Sequence, residues 1–176
     1  MRIVLDPGHG GRDPGACANG LQEAKINLKL ATYLKTELLM RKTEVFLTRK
    51  ADVYLSLKDR VKLSNSANPN LFLSLHCNAA INHLANGIET LCYSRASKGY
   101  LYALSVQNSL SRGTELTNRG VKIRSDLYVL RNTKAPAILL ELGFISNKED
   151  AIWLAKTKHL KKAASLVAHG IGNQIA

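Results

Sequence analysis

Apolar positions along the chain recur with two periods, and the switches between them divide it into strands and helices. Ile3, Val4 and Leu5 form a short apolar run that stops at Asp6, Pro7 and Gly8, the pattern of a strand entering a loop. From Glu23 to Leu39 the apolar residues Ile26, Leu30, Leu34 and Leu38 are spaced by four, with Ala31 and Leu39 beside them. That spacing predicts an amphipathic helix. Glu44–Thr48 reads as a second strand, and Leu57–Ala67 as a helix opened by Ser56 with Asp59 three positions on, a common start signal. Leu71–Cys77 is apolar enough for a central strand. Period two puts Leu71, Leu73, Leu75 and Cys77 on one face and Phe72, Ser74 and His76 on the other. Ile88–Tyr93 predicts a fourth strand, Ser97–Leu110 a third helix, Leu127–Leu130 a short strand and Ala137–Phe144 a last strand. Two helices, Lys148–Ala155 and about His159–Ile175, close the chain.

Strands alternating with helices predict a three-layer α/β fold: a mixed, mostly parallel sheet of about six strands with helices on both faces. The 176 residues suffice for one domain with a proper core and are too few for two of ordinary size, so residues 1–176 read as a single domain. Apolar residues make up 45%, the globular norm, and there is no linker, repeat or low-complexity tract. Cys17, Cys77 and Cys92 are odd in number and form no CxxC pair, which suggests neither a disulfide framework nor a cysteine zinc knuckle. They fit folding in a reducing compartment. No run has transmembrane length, and the amino terminus enters a strand without the regions of a signal peptide. The expectation is therefore either cytoplasmic synthesis, with release by lysis or another route, or a domain excised from a secreted protein.

Four polar residues stand where structure alone does not call for them. His9 lies between glycines just after the first strand, and Gly8, Gly10 and Gly11 let the chain turn tightly and a partner approach. Glu23 falls in the first turn of the first helix, where the helix dipole also favours a carboxylate. His76 ends the third strand. Glu141 interrupts the apolar run Ala137–Leu142, and a carboxylate buried there must find a partner, bind a metal or shift its pKa. An ion pair is the structural alternative. In a parallel sheet the carboxyl ends of the first, third and last strands share one edge, where the first helix also begins, so the four can converge. Two imidazoles and one carboxylate are a three-ligand set for catalytic zinc, and the remaining carboxylate would serve as general base.

With those residues in view, the sequence resembles the zinc-dependent N-acetylmuramoyl-L-alanine amidases of bacterial autolysins, cell-division and spore hydrolases and phage endolysins. The resemblance rests on LDPGHGGRDPGA at 5–16, GLQE at 20–23, TRKADVYLSLKDRVKLSN at 48–65, LFLSLHCNA at 71–79, NGIET at 86–90, NRGVK at 118–122 and LYVLRNTKAPAILLELGFISN at 127–147. It implies one zinc ion held by His9, Glu23 and His76, with Glu141 as catalytic acid/base. The implied substrate is peptidoglycan, cut at the amide between the lactyl group of N-acetylmuramic acid and the L-alanine of the stem peptide. Asn78, two positions past His76, is a candidate for binding substrate carbonyls from the loop beside the metal. Arg49, Arg60 and Arg119 read as loop ties, through carboxylates such as Asp52 and Asp59.

Some cell-division members carry a helical insertion that blocks the zinc; the connection Asn78–Gly87 here has only ten residues, which predicts an open site. The net charge of +12, from 25 basic and 13 acidic residues, favours anionic wall polymer as a further partner. No basic stripe interleaved with aromatics suggests a nucleic-acid partner, and the chain reads as a monomer. Two alternatives stand beside the amidase: a zinc peptidase cutting another amide of the stem peptide, and a non-catalytic wall-binding module. His83, His159, His169 and Trp153 read as ordinary packing or loop residues.

Overall fold

The period-two stretch around Leu73 becomes the middle of a six-stranded sheet. The structure is a computed structural model that describes residues 1–174. In chain order it runs β1 (Arg2–Pro7), the two-residue strands β2 (Cys17–Ala18) and β3 (Leu21–Gln22), α1 (Glu23–Met40), β4 (Glu44–Leu47), α2 (Leu57–Ala67) and β5 (Leu71–Asn78). It continues through β6 (Ile88–Cys92), α3 (Lys98–Gly113), β7 (Asn118–Ile123), α4 (Tyr128–Asn132), β8 (Ala137–Phe144), α5 (Lys148–Leu154) and α6 (Thr157–Gly172). The main sheet has the order β4-β1-β5-β8-β6-β7. The first four are mutually parallel; β6 pairs antiparallel with β8, and β7 parallel with β6.

The two faces of β5 are those the alternation predicts. Leu71, Leu73, Leu75 and Cys77 join Ile3, Leu5 and the helices α1, α3 and α6 in the larger core. Phe72 joins Val4, Val61, Val129 and Leu139 under α2 and α4. Helix α1 buries Ile26, Leu30, Leu34 and Leu38, the stripe its sequence spacing marked. Ser56 caps α2, its side chain accepting from Asp59 N.

One predicted element is of the wrong type. Leu127–Leu130 is not a strand: Tyr128–Asn132 forms the single-turn helix α4, with Val129 and Leu130 buried. The strand lies upstream at Asn118–Ile123, an edge strand with no fully buried residue. A four-residue apolar run fits a buried helical turn as well as a strand, and a half-exposed edge strand leaves little hydrophobic signal. The closing helix is Thr157–Gly172, and the predicted extension to Ile175 ends outside the described residues.

Two arginines lock the loop after β1. Arg60 is buried and pairs with buried Asp6 at 2.7 Å while donating to Pro7 O and His9 O, each at 2.8 Å. Asp6 also accepts from Thr48 Oγ1 and Ser74 Oγ, so both its oxygens are satisfied. Arg49 donates to Pro7 O, Gly8 O and Ala24 O. These are the loop ties expected of Arg49 and Arg60, with Asp6 and carbonyls rather than Asp59 as partners. Arg60→Ala leaves the Asp6 charge buried and unpaired, and will lower unfolding stability by about 3–5 kcal/mol, measurable by urea denaturation; a loss below 1 kcal/mol would show that the clamp is dispensable.

Candidate metal centre

Four elements meet at the carboxyl edge of the parallel strands. His9 follows β1 with φ +60°. Glu23 is the first residue of α1, where the helix dipole favours a carboxylate. His76 is near the end of β5, and Glu141 of β8 is its register partner.

Three of these side chains face one point. Glu23 Oε1 lies 2.9 Å from His76 Nδ1 and 3.2 Å from His9 Nε2, and one donor atom from each residue falls within 4.8 Å of the other two. The rings meet edge to face, with centroids 5.0 Å apart. Close approach is possible because Gly8 has no side chain: a Cβ there would come within 2.2 Å of His76 Cε1. The space that the glycines near His9 leave is thus occupied, in part, by the second imidazole. Gly15 does the same for Glu23, in a backbone of φ +66° that L side chains rarely adopt.

Hydrogen bonds orient these side chains. Ala16 N donates to Glu23 Oε2 at 2.9 Å, and Cys77 N to Oε1 at 3.1 Å. His9 Nδ1 bonds Asp13 Oδ2 at 2.9 Å, which turns Nε2 toward Glu23 and resembles the carboxylate–histidine pairs behind metal ligands. Asp13, four positions after His9 in the same loop, bears no mark in the sequence pattern that sets it apart as a partner of His9. Burial pushes His9 down, but the hydrogen bond and charge of Glu23, with Asp13 behind, outweigh it and lift its pKa to about 9. Burial alone would raise Glu23; the hydrogen bonds and charges of His76 and His9 hold it far below the usual carboxylate range.

Glu141 has no such partner. Its Oε2 is buried with no hydrogen bond among the described residues. Its pKa is pushed up to about 7, chiefly by burial and further by the charges of Glu23 and Glu89, against the pull of His76 and His9. Glu89 is a second carboxylate outside the predicted set of four. Because β6 runs against β8, Glu89 stands directly across from Glu141, held by Asn78 Nδ2 and Arg119 Nε at 2.9 Å each. Asn78 is the last residue of β5 rather than part of the loop. Beside the histidines a cavity of about 190 Å³ opens on the α2–α4 face, lined by Tyr54, Leu57, Tyr128 and Leu139 among others; no residue of 79–87 lines it. That connection is pinned aside, with Ala80 N on Ser146 Oγ and Asn147 Nδ2 on His83 O.

Two nitrogens and one oxygen, with an unpaired buried carboxylate on the neighbouring strand, form a site that can hold a metal ion and activate water. A family model described as N-acetylmuramoyl-L-alanine amidase matches residues 3–173. The chain belongs to that family. It is 37% identical over 171 residues to the N-acetylmuramoyl-L-alanine amidase LytC of Bacillus subtilis, covering 96% of this chain and 34% of LytC. A germination-specific N-acetylmuramoyl-L-alanine amidase of the same organism is 33% identical, covering 96% of this chain and 77% of that protein. The catalytic domain of the amidase CwlV, from Bacillus (Paenibacillus) polymyxa, superposes with a TM-score of 0.92 at 34% identity, covering 99% of this chain and 97% of that domain. The chain thus spans about a third of LytC but nearly all of the CwlV catalytic domain. This family fold is the three-layer α/β sheet with a reversed edge described above. No helix among the described residues is long and apolar enough to cross a membrane.

Proposed function

We propose that the chain hydrolyses the amide between the lactyl group of N-acetylmuramic acid and the L-alanine of the stem peptide in peptidoglycan. His9, Glu23 and His76 hold one zinc ion, and Glu141 is the acid/base. The observation that carries this reading is the unpaired Glu141 carboxylate in register with His76 of a three-donor cluster. The donor set matches zinc's preference for imidazole and carboxylate, and the Asp13 carboxylate behind His9 supplies the outer support such sites use.

Zinc, when bound, makes a water more acidic and polarises the amide carbonyl. Asp13 fixes the tautomer of His9, so that Nε2 is the free ligand atom. Glu141, ionised, accepts a proton from the attacking water and returns it to the departing alanine amine. The second proton of Asn78 Nδ2 is available for a substrate carbonyl, since the first goes to Glu89. The charge of +12 favours association with anionic wall polymer.

The test is mass spectrometry of peptidoglycan digested by metal-stripped protein with and without added zinc, on whole walls at low and high salt. Zinc-dependent release of stem peptides with a free L-alanine amine, from uncut glycan, is expected, faster at low salt. Cleavage at another amide would support a zinc peptidase instead. No products would support a binding module, and rates independent of salt would refute recruitment by charge.

A further inference from the structure

The two sides of the metal centre differ in chemistry. Toward β1 and α4 lies the cavity lined by Tyr54, Leu57 and Tyr128. Its one buried ion pair, Asp6 with Arg60, is internally satisfied, so that, apart from Asp13 beside His9 at its edge, that side offers mainly apolar and aromatic surface. On the β6–β7 side stands Arg119. Its Nε binds Glu89 at 2.9 Å and its Nη1 reaches Asn86 O at 3.3 Å, while Cζ lies 4.8 Å from the ring centroid of Phe144 in β8. Nη2 donates to no residue among those described, and the side chain is 35% exposed. The guanidinium is thus fixed on three sides, with one donor edge open.

Arg119 reaches back from β7 to a residue of β6, about one strand spacing (~4.8 Å) from the strand that carries Glu141. In a peptide substrate, a carboxylate on the residue after L-alanine lies at most about 6–7 Å from the scissile nitrogen, one N–Cα bond, one Cα–Cα step and one further bond away. A guanidinium held rigid loses little freedom on binding a carboxylate and gains a charge-assisted hydrogen bond.

We propose that Arg119 is a specificity-determining residue that reads a carboxylate on the second residue of the stem peptide, with the uncharged muramoyl side over the Tyr54–Tyr128 cavity. This rests on the amidase reading. Glu89, held in turn by Asn78, acts through Arg119 as a positioning residue.

The test compares two synthetic muramoyl tripeptides that differ at the second residue: D-glutamate with its α-carboxylate free, or D-isoglutamine with that group amidated. The zinc-loaded protein is expected to prefer the acid by about tenfold in kcat/KM, mostly through KM. Arg119→Gln should bring the ratio near one, and Arg119→Lys, which keeps Glu89 paired, should retain part of it. A wild type that cleaves both alike overturns the proposal. So does a variant in which both rates fall by one factor with the preference intact, which is what a merely structural arginine would give. If the wild type cleaves neither, the amidase reading fails and this proposal with it.

Discussion

Glu141→Gln will lower kcat about 100- to 10,000-fold, the range that general acid–base catalysis contributes, while leaving zinc content and fold unchanged. The substitution is isosteric and replaces a buried, unpaired carboxylate oxygen with a neutral amide, so thermal stability should not fall. The pH dependence carries the same assignment. Burial, with Glu23 and Glu89 adding, lifts the Glu141 pKa to about 7 in the ion-free protein, and a bound dication would draw it lower. A base works when ionised, so activity is present above its pKa and is lost as pH falls through it. With zinc saturating, the wild type should therefore show an acid limb in kcat/KM at or below about pH 7, and the residual activity of the variant should lack it. Near-normal turnover in Glu141→Gln would remove Glu141 from the mechanism.

His76→Ala, by contrast, will abolish both activity and stoichiometric zinc. It leaves two of the three donor atoms that lie within 4.8 Å of one another, and the loss should exceed the roughly 10- to 100-fold cost of disturbing an outer-shell partner. Metal analysis of dialysed protein separates the two variants: one zinc per chain in Glu141→Gln, none retained in His76→Ala. The same centre predicts the sign of the pH effect on binding. In the ion-free protein Glu23, with Asp13, holds His9 protonated up to about pH 9 against the opposing effect of burial. A ligating imidazole must be neutral, so zinc uptake below that pH releases a proton and its affinity rises as pH rises toward 9. Calorimetry in buffers of different ionisation enthalpy would detect the proton; its absence would show that His9 is not a ligand. Retention of zinc by His76→Ala would break the three-ligand assignment.

The two faces of β5, the buried stripe of α1 and the identity of the four polar residues at the sheet edge are legible in the residue order. Each follows from a rule local in the chain: period two or four sorts residues into buried and exposed, and a carboxylate such as Glu141 inside an apolar run is costly enough to stand out. The rest depends on packing. The apolar run at Leu127–Leu130 could be strand or turn of helix until packing against α2 and β8 chose the helix. Periodicity reports that a strand has a buried face but not its direction, so the reversal of β6, which sets Glu89 opposite Glu141, left no mark in the pattern. Asp6 under Arg60 and Arg119 on Glu89 are likewise pairs of residues distant in the chain that only packing brings together. A side chain's charge is written in the sequence, but what it faces is fixed only when the sheet closes around it.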